Sequence, residues 1–500
     1  MTKILMKNSF LTTLLIFFFA CAHSQNPTPI SALTNLKNNI NLLKKDKALK
    51  HASWSVCVMS SKTGKIIAEY NSEMALTPAS TMKVITTATA LSILGSNFKF
   101  KTQLEYSGNI DSLGTLHGNL YIKGGGDPTF GSDRFANTNA EVILSDWIVK
   151  IKSIGIKKIE GKIIADAAIF DNQFVSPDWT WEDIGNYYGT GACGLSIFEN
   201  QYHIYFKAGK NIGDTATIES IYPEIPYLQL INNVKTGKAN SGDNVIIYGS
   251  PFSNIRILDG TVPLGKSNYS VEGSIPDPSF FFAYYFNKKL SENGISISQL
   301  PETVRNMKLD KKFIDTSRVL ISTYFSPNLE SIVYHTNLKS VNTFAEHLLK
   351  MMGVKKAQEG SFDAGTKVVE DFLASKKIDI AGFSMNDGSG LSPLDKVTTK
   401  QMAGFLLQFM NDAGYDAFYK SLPIAGKSGS IASLFKGTVA ENNLRAKSGY
   451  LSGVRSYAGY VTNKSKEVLT FSIIVNNYDC KPLEMKTKLE QLMLLIAELD

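Results

Sequence analysis

The chain has two hydrophobic rhythms, and it divides where one gives way to the other. Residues 53–70, SWSVCVMSSKTGKIIAEY, hold two β-rich runs on either side of the turn formers 61–64, which predicts a hairpin. TMKVITTATALSILG (81–95) is apolar enough for a buried helix, with Pro78 suited to its first turn and Gly95 to its end. From about 100 to 310 the apolar pieces shorten to NLYIKGGGDPTF, EGKIIADAAIF, DNVIIYGS and SNIRILDG, separated by Gly, Asp, Asn and Pro. That change predicts a β-rich insertion with its own core. Helical spacing returns in VNTFAEHLLKMMG (341–353), with Gly353 read as its stop, and in GTKVVEDFLASKKI and TKQMAGFLLQFMNDAG. RSYAGYVTN and EVLTFSIIVNN then read as paired strands, and LEMKTKLEQLMLLIAEL as a closing helix.

The expected architecture is therefore multidomain α/β. One unit is split into segments 25–100 and 315–500, and a β-rich region of two subdomains, 101–314, is inserted between them. Five hundred residues exceed what one hydrophobic core organises, in keeping with that division.

Composition removes several classes of function. With 43% hydrophobic and 19% charged residues and a mean hydropathy of −0.06, the chain is neither disordered nor a polytopic membrane protein. A net charge of +7, with no Lys/Arg run interleaved with aromatics, argues against a nucleic-acid partner. The six histidines form no His-x-x-x-His pair, and the cysteines at 21, 57, 193 and 480 have neither disulfide-framework nor metal-ligand spacing, so no metal is expected. At the start, Lys3 and Lys7 precede a charge-free run, 11–20, too short to span a bilayer. Residues 1–24 are expected to be an export signal cleaved after Ala22 or Ser24, or else Cys21 is the lipidated anchor of an exported protein.

The candidate chemistry begins with Ser-x-x-Lys, which occurs at Ser80, Ser96 and Ser433. Ser80 alone stands at the start of an apolar helix, where Ser80 and Lys83 fall one turn apart on one face. A serine hydroxyl is a poor nucleophile until a base takes its proton, and a lysine serves as that base once desolvation lowers its pKa. The helix start also offers a backbone N–H to a developing oxyanion. Of six Ser-x-Asn tripeptides, Ser340-Val341-Asn342 opens an apolar helix after the insertion and is preferred, with Ser384-Met385-Asn386 as runner-up. Four Lys-Thr/Ser-Gly tripeptides begin at Lys62, Lys235, Lys427 and Lys447. Lys62 is a hairpin tip, Lys235 lies in a loop of the insertion and Lys427 leads into another loop. Only Lys447 leads into paired strands, where Gly449 can bring a strand edge close to a ligand. Lys447 would hold a carboxylate as a point charge, with Ser448 adding a hydroxyl.

With these three elements in place, the chain resembles the serine D-alanyl-D-alanine carboxypeptidase/endopeptidase family, the class C low-molecular-mass penicillin-binding proteins. The resemblance extends to GNLYIKGGGDPTF, GKIIADAAIFD, WTWEDIGNYYGTGACGLSIFENQ, DGSGLS and SLPIAG, and so covers nearly all of the chain beyond its start. It implies a penicillin-binding/β-lactamase-like transpeptidase fold, an antiparallel sheet flanked by helices, with accessory domains between the first and second motifs. It implies a periplasmic hydrolase whose partners are peptidoglycan stem peptides, with β-lactams as inhibitors and no cofactor. Ser80 is then the nucleophile and Lys83 its base. Ser340 relays a proton to the leaving amine, and Asn342 orients the peptide amide and contacts Lys83. Lys447 and Ser448 bind the terminal carboxylate, and the N–H groups of Ser80 and Tyr450 form the oxyanion hole. Two places depart from the family pattern: Tyr450 stands where a threonine usually follows Gly449, and Lys427 to Ser430 stand where an acidic residue and Gly-Thr usually follow SLPIAG. The alternatives are a β-lactamase or esterase with the same chemistry, and a peptidoglycan-binding scaffold without turnover. The sequence specifies no oligomeric state.

Overall fold

The computed structural model describes residues 31–500, so the expected signal segment and Cys21 lie outside the described residues. A five-stranded antiparallel sheet draws on both ends of the chain, in the order Arg445–Leu451, Val454–Thr462, Val468–Asn476, Ser53–Ser60, Ile66–Tyr70. The central strand Val468–Asn476 is nearly all buried because helices cover both faces of the sheet. On one face, Ala32–Leu43 and Pro482–Ala497 pack through Leu36, Ile40, Leu489 and Met493. On the other lie Met82–Leu94, Leu329–Lys339, Asn342–Ala357, Phe362–Ser375, Thr399–Phe409 and Tyr415–Ser421, around a core that includes Ile85, Phe344, Leu348, Phe405 and Phe418.

Four further sheets lie between the two halves and share a separate large core. The expected inserted region ended at 314, but Val319–Phe325 pairs with Lys101–Tyr106 and closes the insertion's five-stranded sheet. The chain returns to the split unit only after that strand. The insertion also contains two long helices, Ala140–Ser153 and Pro278–Glu292, that a β-rich reading does not foresee. The second carries FFFAYYF, whose aromatic residues are modest helix formers. Asp277 caps it through Phe280 N at 3.1 Å, Pro278 occupies its first turn, and Phe281, Phe282 and Phe286 are wholly buried. Burying each phenylalanine contributes about 2 kcal/mol, which outweighs a propensity cost of a few tenths per residue.

Two local readings change. Gly353 does not stop its helix, which runs through Asn342–Ala357. A Cβ there would press on Glu359 O at 2.5 Å and Ala364 Cβ at 3.1 Å, so the glycine permits close packing of the following helix. Lys235 lies in a short strand, Lys235–Gly237, parallel to the strand Ile255–Pro263, rather than in a loop.

Candidate active site

Ser80 lies in a single 3-10 turn, Ala79–Thr81, that leads into Met82–Leu94. The turn is tightly held. Thr81 Oγ1 donates to Pro78 O at 2.7 Å, Ser456 Oγ donates to the same carbonyl at 2.5 Å, and Ala79 takes a left-handed φ of 49°. A left-handed alanine costs on the order of 1 kcal/mol, and packing of the turn against neighbouring strands holds it there. Two glycines from distant segments allow that packing. A Cβ on Gly390 would strike Ala79 O, and one on Gly449 would meet Pro78 O at 2.6 Å and Ser80 N at 3.0 Å. Gly449 sits on the edge strand of the five-stranded sheet, so Ser80 and Tyr450 are carried by adjoining backbone.

Lys83 is completely buried, and its Nζ donates to Ser80 Oγ at 3.1 Å, Asn342 Oδ1 at 2.6 Å and Ser389 O at 2.7 Å. All three acceptors are neutral. Burial pulls its pKa down to about 8, and the carboxyls of Glu346, Asp387 and Asp395 keep it from falling further. Asn342 Nδ2 donates to Tyr188 O at 2.8 Å, so the insertion helps hold the amide that faces Lys83.

Lys447, also buried, donates to Ser340 Oγ at 3.0 Å and to Ser448 O at 2.6 Å. Burial first, then the charge of Lys83, puts its pKa well below the usual lysine range. Ser340 occupies a left-handed position, φ 59°, between Leu329–Lys339 and the helix that begins at Asn342. Ser448 Oγ donates to Ser430 Oγ at 2.7 Å, one of the residues that departs from the family pattern. Tyr450 is half exposed with the Arg455 guanidinium 4.7 Å from its ring centre, and Lys427 is exposed.

The structure thus brings Ser80, Lys83, Ser340, Asn342, Lys447, Ser448, Gly449 and Tyr450 together. Ser384 instead pairs with Lys396 in an isolated bridge, and Asn386 is bound to Asp395, so the runner-up Ser-x-Asn belongs to a turn beneath the site. The Ser433 and Ser96 side chains make no hydrogen bond to Lys83. Among the described residues no cluster has the ligands for a metal ion.

Several residues of this centre carry no motif position. Glu346 Oε2 accepts from Gly388 N at 2.7 Å. Asp387 accepts from Trp179 Nε1 at 2.7 Å and from Gly390 N and Ser392 N at 2.6 Å. Asp395 is buried beside it, its carboxyl pushed well up by burial and then by the Asp387 charge. Only the DGSGLS resemblance pointed towards this turn, and nothing local in the sequence marks Trp179 or Glu346 as its partners.

A serine, a buried lysine and a second lysine on the edge of an antiparallel sheet, with helices on both faces, define the serine hydrolases of the penicillin-binding, β-lactamase-like fold. Within that class the chain belongs to the D-Ala-D-Ala carboxypeptidase 3 (S13) family, which it matches over residues 36–499. It is 29% identical over 458 residues to the D-alanyl-D-alanine carboxypeptidase of Actinomadura sp., an alignment covering 89% of this chain and 82% of that protein. The crystal structure of penicillin binding protein 4 from Haemophilus influenzae superposes with a TM-score of 0.77 at 24% identity, covering 92% of this chain and 98% of that one. The same protein complexed with a novel β-lactam gives a TM-score of 0.73 at 23% identity, with the same coverage of both chains.

Proposed function

We propose that this protein is a serine DD-peptidase that cleaves the D-alanyl-D-alanine ends and D-alanyl cross-links of peptidoglycan stem peptides through an acyl-enzyme on Ser80. The observation that carries the reading is the setting of Lys83: a wholly buried amine, 3.1 Å from Ser80 Oγ and bonded only to neutral acceptors. Its proton is held weakly enough for the amine to act as base near neutrality.

In this mechanism Ser80 Oγ attacks the carbonyl of the penultimate D-alanine while its proton passes to Lys83 Nζ. The oxyanion is taken by the N–H groups of Ser80 and Tyr450. Lys447 and Ser448 hold the terminal carboxylate, and Asn342 orients the peptide amide. The C–N bond breaks, the leaving amine receives a proton through Ser340, and water then hydrolyses the ester. A β-lactam acylates Ser80 as a substrate mimic. No step calls on a metal or cofactor. Peptidoglycan lies outside the cytoplasmic membrane, so the reading includes export through residues 1–24 and action in the periplasm.

The test is covalent labelling with a fluorescent penicillin, read by denaturing gel and intact mass, on wild type beside Ser80→Ala and Ser433→Ala. We expect label on wild type and Ser433→Ala and none on Ser80→Ala. Folded wild type that takes no label would overturn the assignment.

A further inference from the structure

Beneath the nucleophile lies a charge arrangement that the mechanism above does not use. Lys83, Glu346, Asp387 and Asp395 are all fully buried: three carboxyls around one lysine. Asp387 spends its oxygens on Trp179 and on the N–H groups of Gly390 and Ser392. Asp395 Oδ1 accepts from Asn386 N at 2.7 Å.

Glu346 is placed differently. It lies one turn after Asn342 in the same helix, on the face that meets Lys83. Its Oε2 accepts from Gly388 N at 2.7 Å, while Thr86 Oγ1 donates to Gly388 O at 2.6 Å. The next carbonyl along, Ser389 O, receives Lys83 Nζ at 2.7 Å. Gly388 has to be a glycine for this, because a Cβ would meet Ala345 O at 2.5 Å and Glu346 Oε2 at 3.2 Å. Glu346 Oε1 is buried without a hydrogen-bond partner. Buried carboxylates without full pairing take up protons, and the lysine whose charge acts on Glu346 is the one that must give up its proton for catalysis.

We propose that Glu346 is a positioning residue for Lys83: it fixes the Gly388–Ser389 peptide that receives the lysine, and it shares one proton with that lysine across the buried cluster. With the proton on Glu346, Lys83 is an amine and can accept from Ser80. With the proton on Lys83, the ammonium faces a carboxylate and the pair is at rest. Burial drives the two groups together, Lys83 down to about 8 and Glu346 up to about 8, the latter with help from the Asp387 charge. The other charged groups around the pair are Asp387 and Asp395 in the turn, Lys350 one turn further along the helix of Glu346, and Lys447, whose charge and that of Lys83 act on each other.

The inference rests on the proposed acylation of Ser80, and its test keeps the two separable. The second-order rate of penicillin acylation is measured against pH for wild type, Glu346→Gln and Glu346→Asp. Wild type rate should rise with pH as Lys83 loses its proton. Glu346→Gln keeps an acceptor for Gly388 N and removes the charge. Its acid limb should move down by about 1 pH unit with the plateau retained, because the carboxylate that acts most strongly on the lysine's proton is gone while Asp387 and Asp395 remain. Glu346→Asp keeps the charge but shortens the reach. Its limb should stay in place while the plateau falls on the order of tenfold, as the Gly388–Ser389 peptide loses its support. A residue that merely fills the core would leave both limbs where they are. An unmoved limb in Glu346→Gln melting like wild type overturns the proposal; if that variant does not fold, a wild-type plateau in Glu346→Asp does so instead. Absence of acylation in wild type would defeat the proposed function rather than this inference.

Discussion

Two lysines lie fully buried at the Asn342–Ala357 helix, and their surroundings differ in one respect. Lys350, on the helix itself, donates to Asp171 Oδ1 and to Gln173 O, both at 2.6 Å, and its Nζ lies 4.4 Å from the centre of the Phe362 ring. It ties the helix to the insertion and keeps a carboxylate as its partner. Lys83, packed against the other end, is bonded to a hydroxyl, an amide oxygen and a peptide carbonyl, with its nearest carboxyls held one residue away. Burial lowers the pKa of both, and in Lys350 the directly bonded Asp171 opposes it. A lysine that anchors is given a full counter-charge. One proposed to lose its proton is given neutral acceptors.

Exchanging those settings should have the largest effect. Asn342→Asp would give Lys83 the bonded carboxylate that Lys350 has. Its acid limb should rise by about 1 to 3 pH units, since a bonded carboxylate favours the ammonium, so acylation at pH 7 should fall by about 10- to 1000-fold and recover in part as the pH is raised. Stopped-flow acylation across pH measures this; a limb left at the wild-type position would break the comparison. The next effect is on stability. Lys350→Met should cost about 2 kcal/mol in urea unfolding, below the usual figure for breaking a buried pair because the Asp171 side chain is 36% exposed and can regain water. Its acylation rate should stay within a few-fold of wild type. The smallest effect is expected from Asp171→Asn, which gives Lys350 an amide partner like that of Lys83. Unfolding should show a loss of about 1 kcal/mol, because Gln173 O still accepts from Lys350.

The legible part of this protein is what periodicity and local chemistry carry. The buried helix 82–94, the paired strands at the end and the hairpin at 53–70 all have patterns that only one kind of element satisfies. Pro278–Glu292 was hidden because its aromatic run suits a strand as well as a helix, and only burial in the insertion's core decides between them. The boundary near 315 was misplaced because Val319–Phe325 shows its allegiance only by pairing with Lys101–Tyr106, more than 200 residues earlier in the chain. Gly353 reads as a stop and serves as a contact, and no local signal separates those two uses of a missing Cβ.

By itself the sequence determined the ingredients: a serine and lysine one helical turn apart, a Ser-x-Asn that opens an apolar helix, a Lys-Ser-Gly leading into paired strands, and the family these resemble. Spacing within one turn or one strand is fixed by local geometry, so such pairs can be read directly. Tertiary structure alone decided that Ser80, Ser340 and Lys447, far apart in the chain, lie together, that Tyr188 holds Asn342, and that Glu346 and two aspartates surround Lys83. The proton affinity of Lys83 belongs to this second group. It is set by how much water is excluded and by which carboxyls remain near, and both are properties of packing between segments distant in the chain.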